Sequence, residues 1–80
     1  MKAIINNLLY DTDKATLLHN GEGYALYMTA KGAFFMAFAG SADSDANGTI
    51  EIPPTYQVQE MLGKHQPDKY IEIFGEVGEA

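Results

Sequence analysis

The sequence has no cysteine and no arginine, and no apolar stretch approaches the length of a membrane span. The missing cysteine excludes disulfides, thiolate metal sites and thiol nucleophiles together. It also fits a reducing compartment. Arginine supplies the planar fork that grips phosphates and carboxylates. Without it, and with a pI near 4.5, direct binding to a nucleic-acid backbone is disfavoured. A membrane helix needs about 20 consecutive apolar residues. Asn6 and Asn7 stand where a secretory signal would place its apolar core. The expectation is a cytoplasmic protein with no membrane partner.

What is present is acid. Eleven carboxylates face five lysines, for a net charge of −6 over 80 residues. The charge is uneven. Up to residue 40, Asp11, Asp13 and Glu22 balance Lys2, Lys14 and Lys31. From residue 41 onward eight carboxylates face only Lys64 and Lys69, so this half carries the whole net charge. A chain of this length supports one core and buries only about 60% of the surface its unfolded form exposes. Residues 1–80 therefore read as a single domain with a thin margin of stability.

Along the chain, Ala3-Ile4-Ile5 and Leu8-Leu9-Tyr10 read as strands joined by Asn6-Asn7, which tolerates the positive φ of a tight hairpin turn. Ala15 to His19 reads as a third strand. Tyr24–Thr29 and Ala33–Ala39 form the clearest pair, joined by Ala30-Lys31-Gly32. Period-2 alternation places Tyr24, Leu26, Met28, Phe34, Met36 and Phe38 on a core face. Thr49 to Ile52 reads as a short edge strand ended by Pro53-Pro54. Thr55 suits a helix N-cap, with Val58, Met61 and Leu62 at helical spacing. Pro67 opens a second helix lined by Tyr70, Ile73, Phe74 and Val77, and Gly75 is a natural stop. The fold class is α+β: a curled antiparallel sheet of four to five strands, followed by two short helices packed on one face.

Four stretches together resemble a family of short, largely uncharacterised proteins of Firmicutes and their mobile elements. They are Ile4 through Thr12 with Ala15; Leu26-Tyr27 with Thr29, Gly32 and Phe34-Phe35; Ile52-Pro53-Pro54-Thr55; and Tyr70 with Phe74-Gly75-Glu76-Val77. Asn7 departs from the glycine usual in that family's first turn. Residues 40–49 replace a longer aromatic-rich insertion. The resemblance implies a plasmid or prophage setting and supplies no catalytic residues. Small acidic proteins in such settings resemble anti-defence proteins, including anti-CRISPR inhibitors that imitate nucleic acid. That step is an analogy of size, charge and setting.

Among the constellations, Asp68, Glu72, Glu76 and Glu79 recur at helical spacing and on one continuous helix would form an acidic stripe. Successive carboxylates would lie about 6 Å apart along the axis, on the scale of strand phosphates. With Glu60 they make the candidate partner-binding face. The competing reading is a solvated surface that maintains solubility. Asp43-Ser44-Asp45-Ala46-Asn47-Gly48, with Glu51 further on, matches the opening of a calcium loop. Pro54 occupies the position of its bidentate Glu, so Asp43, Asp45, Asn47 and Glu51 are only a weak metal candidate. Ordinary turn chemistry explains the same residues. His19 and His65 each stand alone at sequence level, with no partner at metal-ligand spacing. Tyr27 and Phe35 alternate away from the core face. They form an exposed apolar interface if only one side of the sheet is covered.

These features predict a non-enzymatic protein with no cofactor that binds a basic bacterial protein surface. A CRISPR–Cas or other defence protein is its most specific form. The chain is expected to be a monomer or a weak homodimer. The alternatives are a non-enzymatic homodimeric structural or regulatory interaction module, joined through the Tyr27 and Phe35 face, and a small calcium-binding module.

Overall fold

The computed structural model describes residues 1–39 and 48–80. The described chain is α+β, with six strands followed by two helices. The strands are β1 (Lys2–Ile5), β2 (Leu8–Asp11), β3 (Thr16–Asn20), β4 (Tyr24–Met28), β5 (Phe34–Phe38) and β6 (Thr49–Glu51). The helices are α1 (Thr55–His65) and α2 (Pro67–Phe74). The strands divide into two antiparallel sheets, a β1–β2 hairpin and a four-stranded β3-β4-β5-β6 meander.

The first hairpin forms because both turn residues accept left-handed backbone. Asn6 has φ 52° and Asn7 φ 64°, as a two-residue type I′ turn requires, and this fixes the register Ile5↔Leu8, Ile4↔Leu9 and Ala3↔Tyr10. Asn is the best non-glycine residue here, and glycine is better still. Asn7→Gly is expected to raise stability by about 0.5 kcal/mol, whereas Asn7→Val lowers it by about 1–2 kcal/mol. Thermal unfolding of the two variants should bracket the parent, and a destabilised glycine variant would contradict the turn assignment.

In the second hairpin, Thr29 closes the Ala30-Lys31-Gly32 loop twice. Its carbonyl accepts from the Gly32 N–H at 2.9 Å and its hydroxyl from the Ala33 N–H at 3.0 Å. Gly32 supplies the positive φ of 87°. The resulting register is Leu26↔Met36, Tyr24↔Phe38 and Met28↔Phe34, so the alternating residues share one face as the sequence predicts. That face meets the helices. Leu18, Leu26, Met36, Val58 and Leu62 form the buried cluster, with Tyr70, Ile73 and Phe74 packed against it. Val77 does not join them; it lies beyond the helix and is exposed.

Helix α1 starts differently from the sequence expectation. Pro54 is the N-cap, with no side-chain cap bond, and Thr55 is the first helical residue. The Pro54 carbonyl accepts from the N–H groups of Gln57 and Val58. Gln66 alone separates the helices and Pro67 opens α2, where its missing N–H costs nothing. Gly75, at φ 97°, stops α2 and donates its N–H to the Ile71 carbonyl.

The opposite face of the meander carries Leu17, Tyr27 and Phe35, which are cross-strand neighbours. A separate layer covers it. Tyr10 of β2, itself buried, sets its ring edge-on to Phe35 with centroids 5.5 Å apart. Tyr27 stacks on the same ring at 5.3 Å. Phe35 is consequently 0% exposed. The order of layers is hairpin, sheet, helices. The first two strands cap the second face instead of extending the sheet. The redirection occurs at Asp11, whose carboxylate accepts from the Asp13 N–H and whose carbonyl accepts from the Lys14 N–H. This Asx-type turn swings the chain out of β2 before β3 begins.

Candidate functional site

The acidic residues occupy the helical side and the segment after it. Glu60 is exposed on α1, and Asp68 and Glu72 are exposed on α2, four residues apart on its outer face. Helical geometry brings these last two within one turn of each other. Because α2 ends at Phe74, Glu76 and Glu79 are not on the helix. The four-carboxylate helical stripe expected from spacing is therefore a pair, followed by two carboxylates on non-helical chain. The cause is local: Gly75 adopts a φ that side-chain-bearing residues resist, and the helix cannot continue through it. Glu76 and Glu79 are nonetheless exposed, as is Glu51 on β6. All six described carboxylates after residue 47 thus face solvent. Lys64 is exposed on α1, four residues after Glu60, and softens the field there.

The calcium-loop candidates Asp43, Asp45 and Asn47 lie outside the described residues. The elements before and after that segment are the strands β5 and β6, where an EF-hand has helices. Among the described residues, no group of three or more His, Asp or Glu side chains is placed to hold a metal ion.

The apolar interface built on Tyr27 and Phe35 is corrected by the structure. Phe35 is sealed between the sheet and the hairpin, and Tyr27 is half-buried against it. Exposed apolar side chains lie on the hairpin and the neighbouring strand, at Ile4, Leu8, Leu9 and Leu17, and also on the helical side, at Tyr56, Ile71 and Val77. Ile4 and Leu9 are directly opposed across β1 and β2. Alternation puts them on the hairpin's outer surface, away from Tyr10.

The structure also joins two residues that look isolated in the sequence. The rings of His19 and His65 lie nearly parallel, 12° apart, with centroids at 4.9 Å. The Gln66 amide nitrogen lies 3.3 Å from Nδ1 of His19. Tyr24 completes the cluster, its ring tilted 55° at 6.1 Å from His19.

A β-bulge makes this meeting possible. Leu17 pairs with Tyr27 and His19 with Leu26, leaving Leu18 as the extra residue. The inserted residue turns both Leu18 and His19 toward the helices: Leu18 enters the core, and His19 reaches the last turn of α1. The cluster brings the end of α1 against the edge strand. A local sequence signal for it is absent, because bulges leave no residue signature here and the partners come from distant segments.

No helix among the described residues is long and apolar enough to cross a membrane. No protein-family model matches the chain, and no curated protein or solved structure matches it either.

Proposed function

We propose that this protein is a non-enzymatic binding protein that docks its acidic helical side on a basic surface of a partner protein. One observation carries the reading: every described carboxylate after residue 47 is exposed, with Glu60, Asp68 and Glu72 presented from a packed two-helix scaffold. A rigid base fixes where Asp68 and Glu72 point, while Glu76 and Glu79 continue the negative charge beyond it. Lysine- and arginine-rich grooves that evolved to hold phosphates offer the complementary field. In its specific form the partner is a nucleic-acid-binding defence complex, and the protein is an anti-CRISPR-like inhibitor that occupies the nucleic-acid path. Complementary fields speed encounter and make binding salt-sensitive.

The test is capture on immobilised protein from a bacterial host extract, with elution by a salt gradient. The expected eluate is a nucleic-acid-binding protein whose DNA or RNA binding the purified chain inhibits. Asp68→Lys combined with Glu72→Lys should weaken that binding about 100-fold and leave the circular dichroism unchanged, since both side chains are exposed. Full binding by the reversed variant, or retention that salt does not affect, would remove the mechanism.

A further inference from the structure

The hairpin layer does not cover the sheet to its end. Between β2 and the loop joining β4 to β5 lies an open cleft of about 380 Å³. That volume falls in the range of about 300–1,000 Å³ typical of small-molecule sites. Leu8, Leu9 and Tyr10 line it from the hairpin, and Ala15, Ala30 and Ala33 from the sheet side. Leu8, on the same face of the hairpin as Tyr10, is 57% exposed, so the cleft presents apolar surface to water at a cost that a ligand would relieve.

Its charges set it apart from the rest of the molecule. Lys14 contributes from the turn after β2 and Lys31 from the tip of the β4–β5 loop. Two of only five lysines in a chain of net charge −6 thus line a single cleft. The lining includes one acidic residue, Asp11, whose carboxylate accepts the Asp13 N–H within its own turn. Anions repelled by the helical side find here an apolar floor beside two ammonium groups.

We propose that this cleft binds an amphipathic organic anion, with an alkyl body on Leu8, Ala15 and Ala33 and a carboxylate held by Lys14 and Lys31. The site lies in the hairpin layer, remote in sequence from Glu60, Asp68 and Glu72, and does not depend on the partner-binding reading. Charge and apolar area are both needed, which separates this ligand class from a neutral lipid and from inorganic anions.

The experiment is titration of the ¹⁵N-labelled protein with octanoate and, in parallel, with 1-octanol, followed by amide chemical shifts. Octanoate is expected to give saturable shifts centred on residues 8–15 and 29–33, with octanol at least about fivefold weaker. Lys14→Gln combined with Lys31→Gln should reduce octanoate to the affinity of octanol and leave octanol unchanged. Both lysines are exposed, so the variant keeps its fold. The absence of saturable shifts at millimolar octanoate, equal affinity for the two probes, or shifts centred on other residues would each overturn the proposal.

Discussion

Phe35→Ala is expected to cost about 3–5 kcal/mol, the range for truncating a fully buried phenylalanine. An 80-residue domain has a total stability of about 4–12 kcal/mol, so the variant should be largely unfolded at the lower end of that range. The ring is the contact between two layers. It holds Tyr10 of the hairpin at 5.5 Å and Tyr27 of its own sheet at 5.3 Å. Each such aromatic pair contributes about 0.5–1.5 kcal/mol beyond simple burial. Truncation loses both pairs and leaves a cavity between the hairpin and the sheet. Urea unfolding followed by circular dichroism checks this, with Tyr56→Ala as a control. Tyr56 is 70% exposed, and its loss should change stability by no more than about 0.5 kcal/mol. Equal midpoints for the two variants would mean that Phe35 does not join the layers.

Among the described glycines, Gly48→Ala should be the most damaging substitution, costing about 3 kcal/mol as an overpacked contact. A Cβ placed on Gly48 would overlap the carbonyl oxygen of Phe38 and the end of the Met1 side chain. Methionine can swing away. The carbonyl belongs to β5, whose Phe38 pairs with Thr49 of β6, so relief requires the two strands to part. Thermal unfolding should show the loss, and amide exchange should show β6 protected least. Gly78→Ala is the matched control, since nothing lies within 4 Å of a Cβ there. A Gly48 variant as stable as the Gly78 variant would show that β6 can leave the sheet freely.

How far the sequence foretold this arrangement depends on the distance over which each decision is made. Asn6-Asn7, the Ala30-Lys31-Gly32 loop, Pro67 and Gly75 act on their own backbone, and all four behave as their chemistry requires. The alternation of Leu26 with Tyr27 and of Met36 with Phe35 separates two faces correctly. It cannot say what lies over each face. That answer came from Tyr10, whose reach across to Phe35 is tertiary, and it converted an expected exposed interface into core. The acidic residues were legible as solvent-facing, but their common helix was not real beyond Glu72, because one glycine outweighed three regular spacings. The stacking of His19 on His65 was invisible, since it depends on an extra residue in β3 that composition does not mark.

That extra residue has a second consequence. β3 and β6 are the outermost strands of the meander, and an outermost strand with free backbone groups invites pairing with another chain's strand, the first step of aggregation. Neither strand offers a straight template. β6 is three residues long and is followed two and three positions later by Pro53 and Pro54. β3 is kinked at Leu18, so its ladder of donors and acceptors breaks in the middle. The same irregularity that carries His19 to the helix therefore spoils the flank on which a fibril would grow.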